Sequence, residues 1–325
     1  MYQKDKERTP AGGQALIEGV MMKCGSSKAI AVRRSDNTIE VKREKLKAEH
    51  EKSKLRKTPF IRGMFMLVES MVEGGKDLTY SANLYAESFD EEEESKFDKW
   101  LKKVFGDRLD DVINAVSIIL SAVIAIGLFI ILPTFFAKGN PADKTILVSL
   151  REGAIKLTIF VGYLFLMSQL KDIKRVFQYH GAEHKSIFAY ENGLELTVEN
   201  VKKMDRLHPR CGTNFMFVVI AISIAIFSFV GIRNVWLRSL VKILVFPFMA
   251  GISYEVIRFA GKHQNVFTRA MVWPGLMMQK ITTKEPDDSQ IEVAIASLKA
   301  VLEDQGIIER ESPTTGIAVD PATLM

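Results

Sequence analysis

The sequence predicts an α-helical integral membrane protein with about four transmembrane helices, interfacial helices and a small cytoplasmic β element. Three observations carry that prediction. Apolar residues make up 47% of the 325 residues but are gathered in blocks between heavily charged stretches, so the chain alternates between two solvents. Residues 112–136 carry no charge and are long enough to cross a hydrocarbon core of about 30 Å. Residues 171–214 hold eight Lys and Arg residues, whereas the loop between the first two apolar blocks holds only Lys138 and Lys144 before Arg151 at the membrane edge. The positive-inside rule then puts the 171–214 loop, and with four spans both termini, in the cytoplasm.

Four regions follow in order. Residues 1–58 form a cytoplasmic N-terminal region. Its opening is charged and lacks the apolar core of a cleavable signal peptide. The run at 12–23 is apolar but short, with Glu18 in its middle. Residues 30–34 and 38–42 have the β-rich composition of hairpin arms around Ser35, Asp36 and Asn37.

Residues 59–111 are an interfacial region. The segment 60–71 is apolar but interrupted by Arg62 and Glu69, with Glu73 just beyond, which suits either an interfacial or re-entrant helix or a buried soluble one. The acidic run 91–94 has the character of a solvated linker. After it, Phe97, Trp100, Leu101, Val104 and Phe105 share one helical face, and Lys96, Lys99, Lys102 and Lys103 fill the rest. Such a basic helix suits the headgroup layer of an anionic bilayer.

Residues 112–257 are the four-span domain, with spans expected at 112–136, 154–170, 215–232 and 241–257. Lys156 in the second must snorkel or face protein. Residues 258–325 are the cytoplasmic end. There Pro286, Asp287 and Asp288 open a helix, and Ile291, Ile295, Leu298 and Leu302 line one of its faces. The tail 312–325 has no helical periodicity.

The sharpest chemical signal lies at 179–214, which holds three of the five histidines and one of the two cysteines. In a helix, His180, Glu183 and His184 fall at i, i+3 and i+4 and face one target. His208 and Cys211 follow in HPRC, where Pro209 stops a helix and forces a turn. His180, His184, His208 and Cys211 are a donor set suited to zinc. The order His-x-x-Glu-His also matches the inverted zinc-protease pattern, in which the glutamate activates water. Four protein ligands would close the tetrahedron and make the metal structural, whereas three would leave Glu183 as a general base. A metal-free, hydrogen-bonded polar cluster is the bland alternative.

Glu18 and Glu255 stand in apolar settings and need a cation or backbone donor, with Arg62, Arg210 and Arg258 as candidates. Asn214 and Ser253 suit helix caps. Cys24 has no companion motif and is expected to be a free thiol. Trp100 and Trp273 suit interface anchors.

Taken together, GGQALIEGVMM, YHGAEHKSIFAYENG, RLHPRCGTNF, AGISYEVIRFAGK and KITTKEPDDSQIEVAIASL resemble, in this order from about Gly12 to Leu302, the YqhQ family of bacterial multi-spanning membrane proteins. The resemblance implies a multi-pass protein of the bacterial cell membrane, described as a predicted metal-dependent enzyme. The family's histidine motif falls on His180, Glu183 and His184, and its second motif on His208, Pro209, Arg210, Cys211 and Gly212.

Two functions compete. The first is a membrane-embedded zinc-dependent hydrolase with Glu183 as its catalytic base. The second is a non-enzymatic factor that binds other membrane proteins during insertion or assembly, with the His/Cys cluster structural. Both imply a lipid bilayer and anionic headgroups as partners, and a homo-oligomer fits either. A net charge of +5 is modest for a nucleic-acid binder, so no nucleic acid is expected.

Overall fold

A computed structural model describes residues 8–46, 54–86, 109–140, 142–209, 211–263, 265–309 and 317–319. The acidic run 91–94, the basic helix around Trp100, Arg210 and most of the tail lie outside the described residues. The fold is mostly helical with one small sheet. The chain divides into two compact units: Met1–Phe89, Leu164–Val218 and Ala250–Met325 in one, Asp90–Tyr163 and Val219–Met249 in the other.

In the first unit, β1 (Ala11–Leu16), β2 (Gly19–Cys24), β3 (Ser27–Arg33) and β4 (Ile39–Lys45) form an antiparallel meander. A short β5 (Ile317–Val319), from the tail that lacks helical periodicity, pairs parallel with β4. The hairpin expected around residues 35–37 is β3–β4, with longer arms. Its turn is set by Asn37 at φ 66° and by Asp36, which accepts from Thr38 N at 2.9 Å. The short apolar run 12–23 is itself a hairpin, β1–β2, turning at Ile17 and Glu18. Glu18 adopts φ 50°, a left-handed conformation that costs an L-residue about 1–2 kcal/mol. Arg175 grips its carboxylate through Nε and Nη2, and Tyr179 donates to it at 3.1 Å. Glu18 thus has the cationic partner it needs, but one outside the three candidates.

Helix α1 is a single turn, Lys54–Lys57, and leads into α2 (Ile61–Ala86). The 60–71 segment is only the start of α2. Gly63, Gly74, Asp77, Ser81 and Leu84 make its buried face, while Val68, Met71, Val72 and Leu78 are exposed. Gly74 lies against the Gln14 side chain, and Lys28 of β3 meets Asp77 at 2.6 Å in a buried pair. Glu255 binds Arg62 through two nitrogens, the pairing the sequence suggested.

The core of this unit joins the sheet to α6 (Lys171–Glu191) and α11 (Asp288–Asp304). Val20, Met22, Ala29 and Ala31 meet Tyr179 and Ala182 of α6 and Ile291, Leu298 and Leu302 of α11. The expected apolar face of α11 is buried at all four positions. Asp287 caps it in a capping box with Gln290, and Pro286 precedes the cap rather than standing in the first turn. Cys24 is a free, buried thiol, as expected. Between α6 and α11 come α7 (Val198–Lys202), α8 (Thr213–Phe227), α9 (Val235–Lys262) and α10 (Val266–Thr282).

The second unit opens with α3 (Leu109–Ile126), five residues of wider π-helix at Gly127–Ile131, and α4 (Leu132–Phe136), in which Pro133 has no N–H to continue the α-helical ladder. α5 (Thr145–Met167) follows. Thr134, Glu152 and Lys242 form a buried hydrogen-bonded group, with Arg238 3.3 Å from Glu152 and 2.9 Å from Ser149.

Among the described residues, two helices are long and apolar enough to cross a membrane, Ala115–Phe136 with 22 residues and Val235–Ala260 with 26. A third is counted only if α5 and α6, bent by 100°, are taken as one span. The four-span expectation is therefore met only in part. α5 starts nine residues before the expected span at 154, so it also includes Arg151 and Glu152. α8 stops at Phe227, short of the expected 232, and its 15 residues rise only about 22 Å. The buried Arg238 draws in the carbonyls of Val230 and Ile232, which turns that stretch out of helical geometry.

Candidate metal centre

The 3.6-residue period of α6 does what the spacing requires: His180, Glu183 and His184 share one face. Gly181 lets the 283–286 segment lie against this helix, because a Cβ there would stand 2.1 Å from Lys284 O. That approach brings Thr282 O to within 2.9 Å of His180 Nδ1, while Arg206 O lies 2.6 Å from His184 Nδ1. A carbonyl can only accept, so both rings carry their proton on Nδ1 and turn a bare Nε2 lone pair inward.

The HPRC turn supplies the facing donor. Gln279 of α10, fully buried, accepts from His208 N at 2.7 Å and donates to His208 O at 2.8 Å, clamping the turn from both sides. Asn214 donates to Pro209 O and closes the turn onto α8. Cys211 Sγ then lies 3.4 Å from His180 Nε2, and Thr213 Oγ1 donates to the same sulfur at 3.4 Å.

His180, His184 and Cys211 have donor atoms all within 4.8 Å of one another. His208, the fourth expected ligand, is directed elsewhere. Its Nε2 meets Glu191 at 3.4 Å, and its ring packs on Phe188. Its ring centroid remains 5.6 Å from that of His184. Glu183 is buried, 3.8 Å from His180 Nε2 and 3.9 Å from His184 Nε2. Burial pushes its carboxyl above the usual range, opposed by the nearby histidines and by the Gly13 N–H. Burial likewise lowers His184, which favours the neutral imidazole.

A tetrahedral zinc site needs nitrogen and sulfur donors about 3.3–3.6 Å apart. The His180–Cys211 separation already meets that, and the carbonyls on both Nδ1 atoms are the outer contacts that orient metal-ligating histidines. The residues present fit the ion. They line a cavity of about 430 Å³ together with Gly12 and Gly13 of β1. The sequence reading missed Gln279, Thr282, Thr213 and Gly13. Of these, only Gln279 carried a local signal, as a lone amide in an apolar run.

The family model described as "protein of unknown function (DUF1385)" matches residues 58–304. The chain is similar to the "Uncharacterized protein YqhQ" of Bacillus subtilis (strain 168), with 34% identity over 316 residues, 94% of this chain and 96% of that one. No solved structure matches.

Proposed function

Since the chain belongs to the DUF1385 family, whose description carries no activity, we propose a function from the site itself: a zinc-dependent hydrolase of acyl bonds, peptide or lipid. His180, His184 and Cys211 hold the ion. The observation that supports this most is the pair of Nδ1–H contacts to Thr282 O and Arg206 O, which leave two Nε2 lone pairs aimed at one thiol. A thiol nucleophile would need only one imidazole. A bound zinc ion supplies a Lewis acid and lowers the pKa of water at the site. Glu183 takes the proton of the attacking water and returns it to the leaving group. The Gly13 N–H holds Glu183 from behind, and Thr213 steadies the sulfur.

A second reading has one observation in its favour. Glu183 is close enough to both Nε2 atoms to serve as a fourth ligand, which would close the site and make the metal a clamp for a non-enzymatic factor that binds other membrane proteins.

Elemental analysis and X-ray absorption on the detergent-purified protein separate the two. One zinc per chain with a non-protein oxygen in its first shell, lost in His184→Ala and kept in Glu183→Gln, is the expected result. The same Glu183→Gln chain should then lose activity on an acyl substrate by about 10²–10⁴-fold. A closed first shell that includes a carboxylate would favour the clamp. A folded protein without metal would sink both readings.

A further inference from the structure

A second cavity, of about 480 Å³, lies apart from the metal centre between α1, the start of α2 and the end of α9. Four cations line it: Arg56, Lys57, Arg62 and Arg258. Glu69 pairs with Arg56, and Glu255 stands behind Arg62. The site is built rather than incidental. A Cβ on Gly63 would stand 2.7 Å from Tyr254 Cβ, and one on Gly251 would stand 2.4 Å from Phe60 O, so two glycines let α2 and α9 close on each other beneath the cations. The remaining wall is Phe65, Met66 and Tyr254.

What surrounds the cavity identifies the ligand. Phe60 and Phe259, close in sequence to residues that line it, are more than half exposed, and Val68, Met71 and Val72 continue an exposed apolar face along α2. Helix α9 ends its long apolar run at Ala260, two residues beyond Arg258. A soluble anion has no use for an apolar apron, whereas a lipid phosphate carries acyl chains that need one. Arginine is also the side chain suited to phosphate oxygens.

We propose that this cavity binds the headgroup of an anionic phospholipid, its phosphate among Arg56, Lys57, Arg62 and Arg258 and its acyl chains along the outer face of α2. The inference rests on α9 crossing a membrane and is independent of the hydrolase reading.

The test is lipid retention by the detergent-purified full chain, measured by native mass spectrometry with phosphatidylglycerol, phosphatidylcholine and inorganic phosphate as separate probes. Phosphatidylglycerol is expected to be retained at least tenfold better than phosphatidylcholine. Lys57→Gln with Arg258→Gln should lower its retention by about thirtyfold, as for removal of two charges at a membrane surface. The charge-keeping pair Lys57→Arg with Arg258→Lys should retain it. Equal retention of the two lipids, or a Gln pair that binds as the parent does, would overturn the proposal. So would displacement of the lipid by millimolar inorganic phosphate, which would mark a soluble-anion site. Repeating the measurement in Glu183→Gln keeps this result separate from failure of the hydrolase reading.

Discussion

Two neighbouring glycines on β1 carry opposite demands. Gly13 faces the candidate metal centre, and a Cβ there would meet Met21 O at 2.6 Å and Glu183 Cγ at 2.9 Å, whereas Gly12 has nothing within 4 Å. Gly13→Ala should therefore push β1 off Glu183, cost about 1–3 kcal/mol and weaken metal retention. Gly12→Ala should stay within about 0.5 kcal/mol of the parent. Thermal unfolding with zinc content measured on the same samples checks both, and equal behaviour of the two would refute this account of the cavity wall. The pattern around these residues was legible unevenly. His180, Glu183 and His184 are grouped by local helix geometry, so their spacing sufficed. Whether His208 joins them depends on Gln279, Glu191 and Phe188, and Gln279 is 71 residues away. Periodicity holds no information about such a contact.

Docking of α2 on the sheet turns on Lys28. Burial works against its charge, but hydrogen bonds to Asp77 and Glu44 outweigh that and hold its pKa above the ordinary lysine value. A raised pKa means its contribution is complete below about pH 10.5 and is lost as pH rises through the folded value. On the acid side Glu73, lowered by its hydrogen bond to Lys23, contributes above about pH 4.5 and loses that contribution as pH falls through its depressed value. That pair is part exposed and worth less than about 1 kcal/mol. The attachment should hold across neutral pH and loosen only at the two extremes, which limited proteolysis of α2 against pH would reveal. Lys28→Met should cost about 3–5 kcal/mol by stranding Asp77, and adding Asp77→Leu should recover most of it. A double-mutant cycle without such recovery would show that the pair does not act as a unit. The hairpin β3–β4 and the face of α11 were readable because turn chemistry and periodicity are local. The β1–β2 hairpin was not, since its short arms have the composition of a generic apolar run.

At the scale of the whole chain, composition revealed where apolar helices lie but not where each one stops. Residues 215–232 look like one uninterrupted span, yet α8 ends at Phe227 because Arg238, in the next helix, takes the carbonyls of Val230 and Ile232. The same second unit places its two loops together, since Arg233 donates to Asp143 O and, at 3.4 Å, to Asn140 O. Behind them Thr134, Glu152 and Lys242 join α4, α5 and α9 through one buried group. An exposed row of charges would contribute little, but a buried carboxylate with a lysine and an arginine beside it fixes the level at which these helices pass one another. With α4 and α9 in a membrane, both loops would then emerge on one side of it, even though α8 alone is too short to cross. Lys138→Cys and Gly231→Cys, at exposed positions in the two loops, should react with an impermeant maleimide in the same preparation of sealed vesicles and be silent in the opposite orientation. The parent chain, with Cys24 buried and Cys211 half-buried, supplies the background. Labelling of one loop from each side would separate what Arg233 joins, and would mean that only one of α5 and α8 crosses.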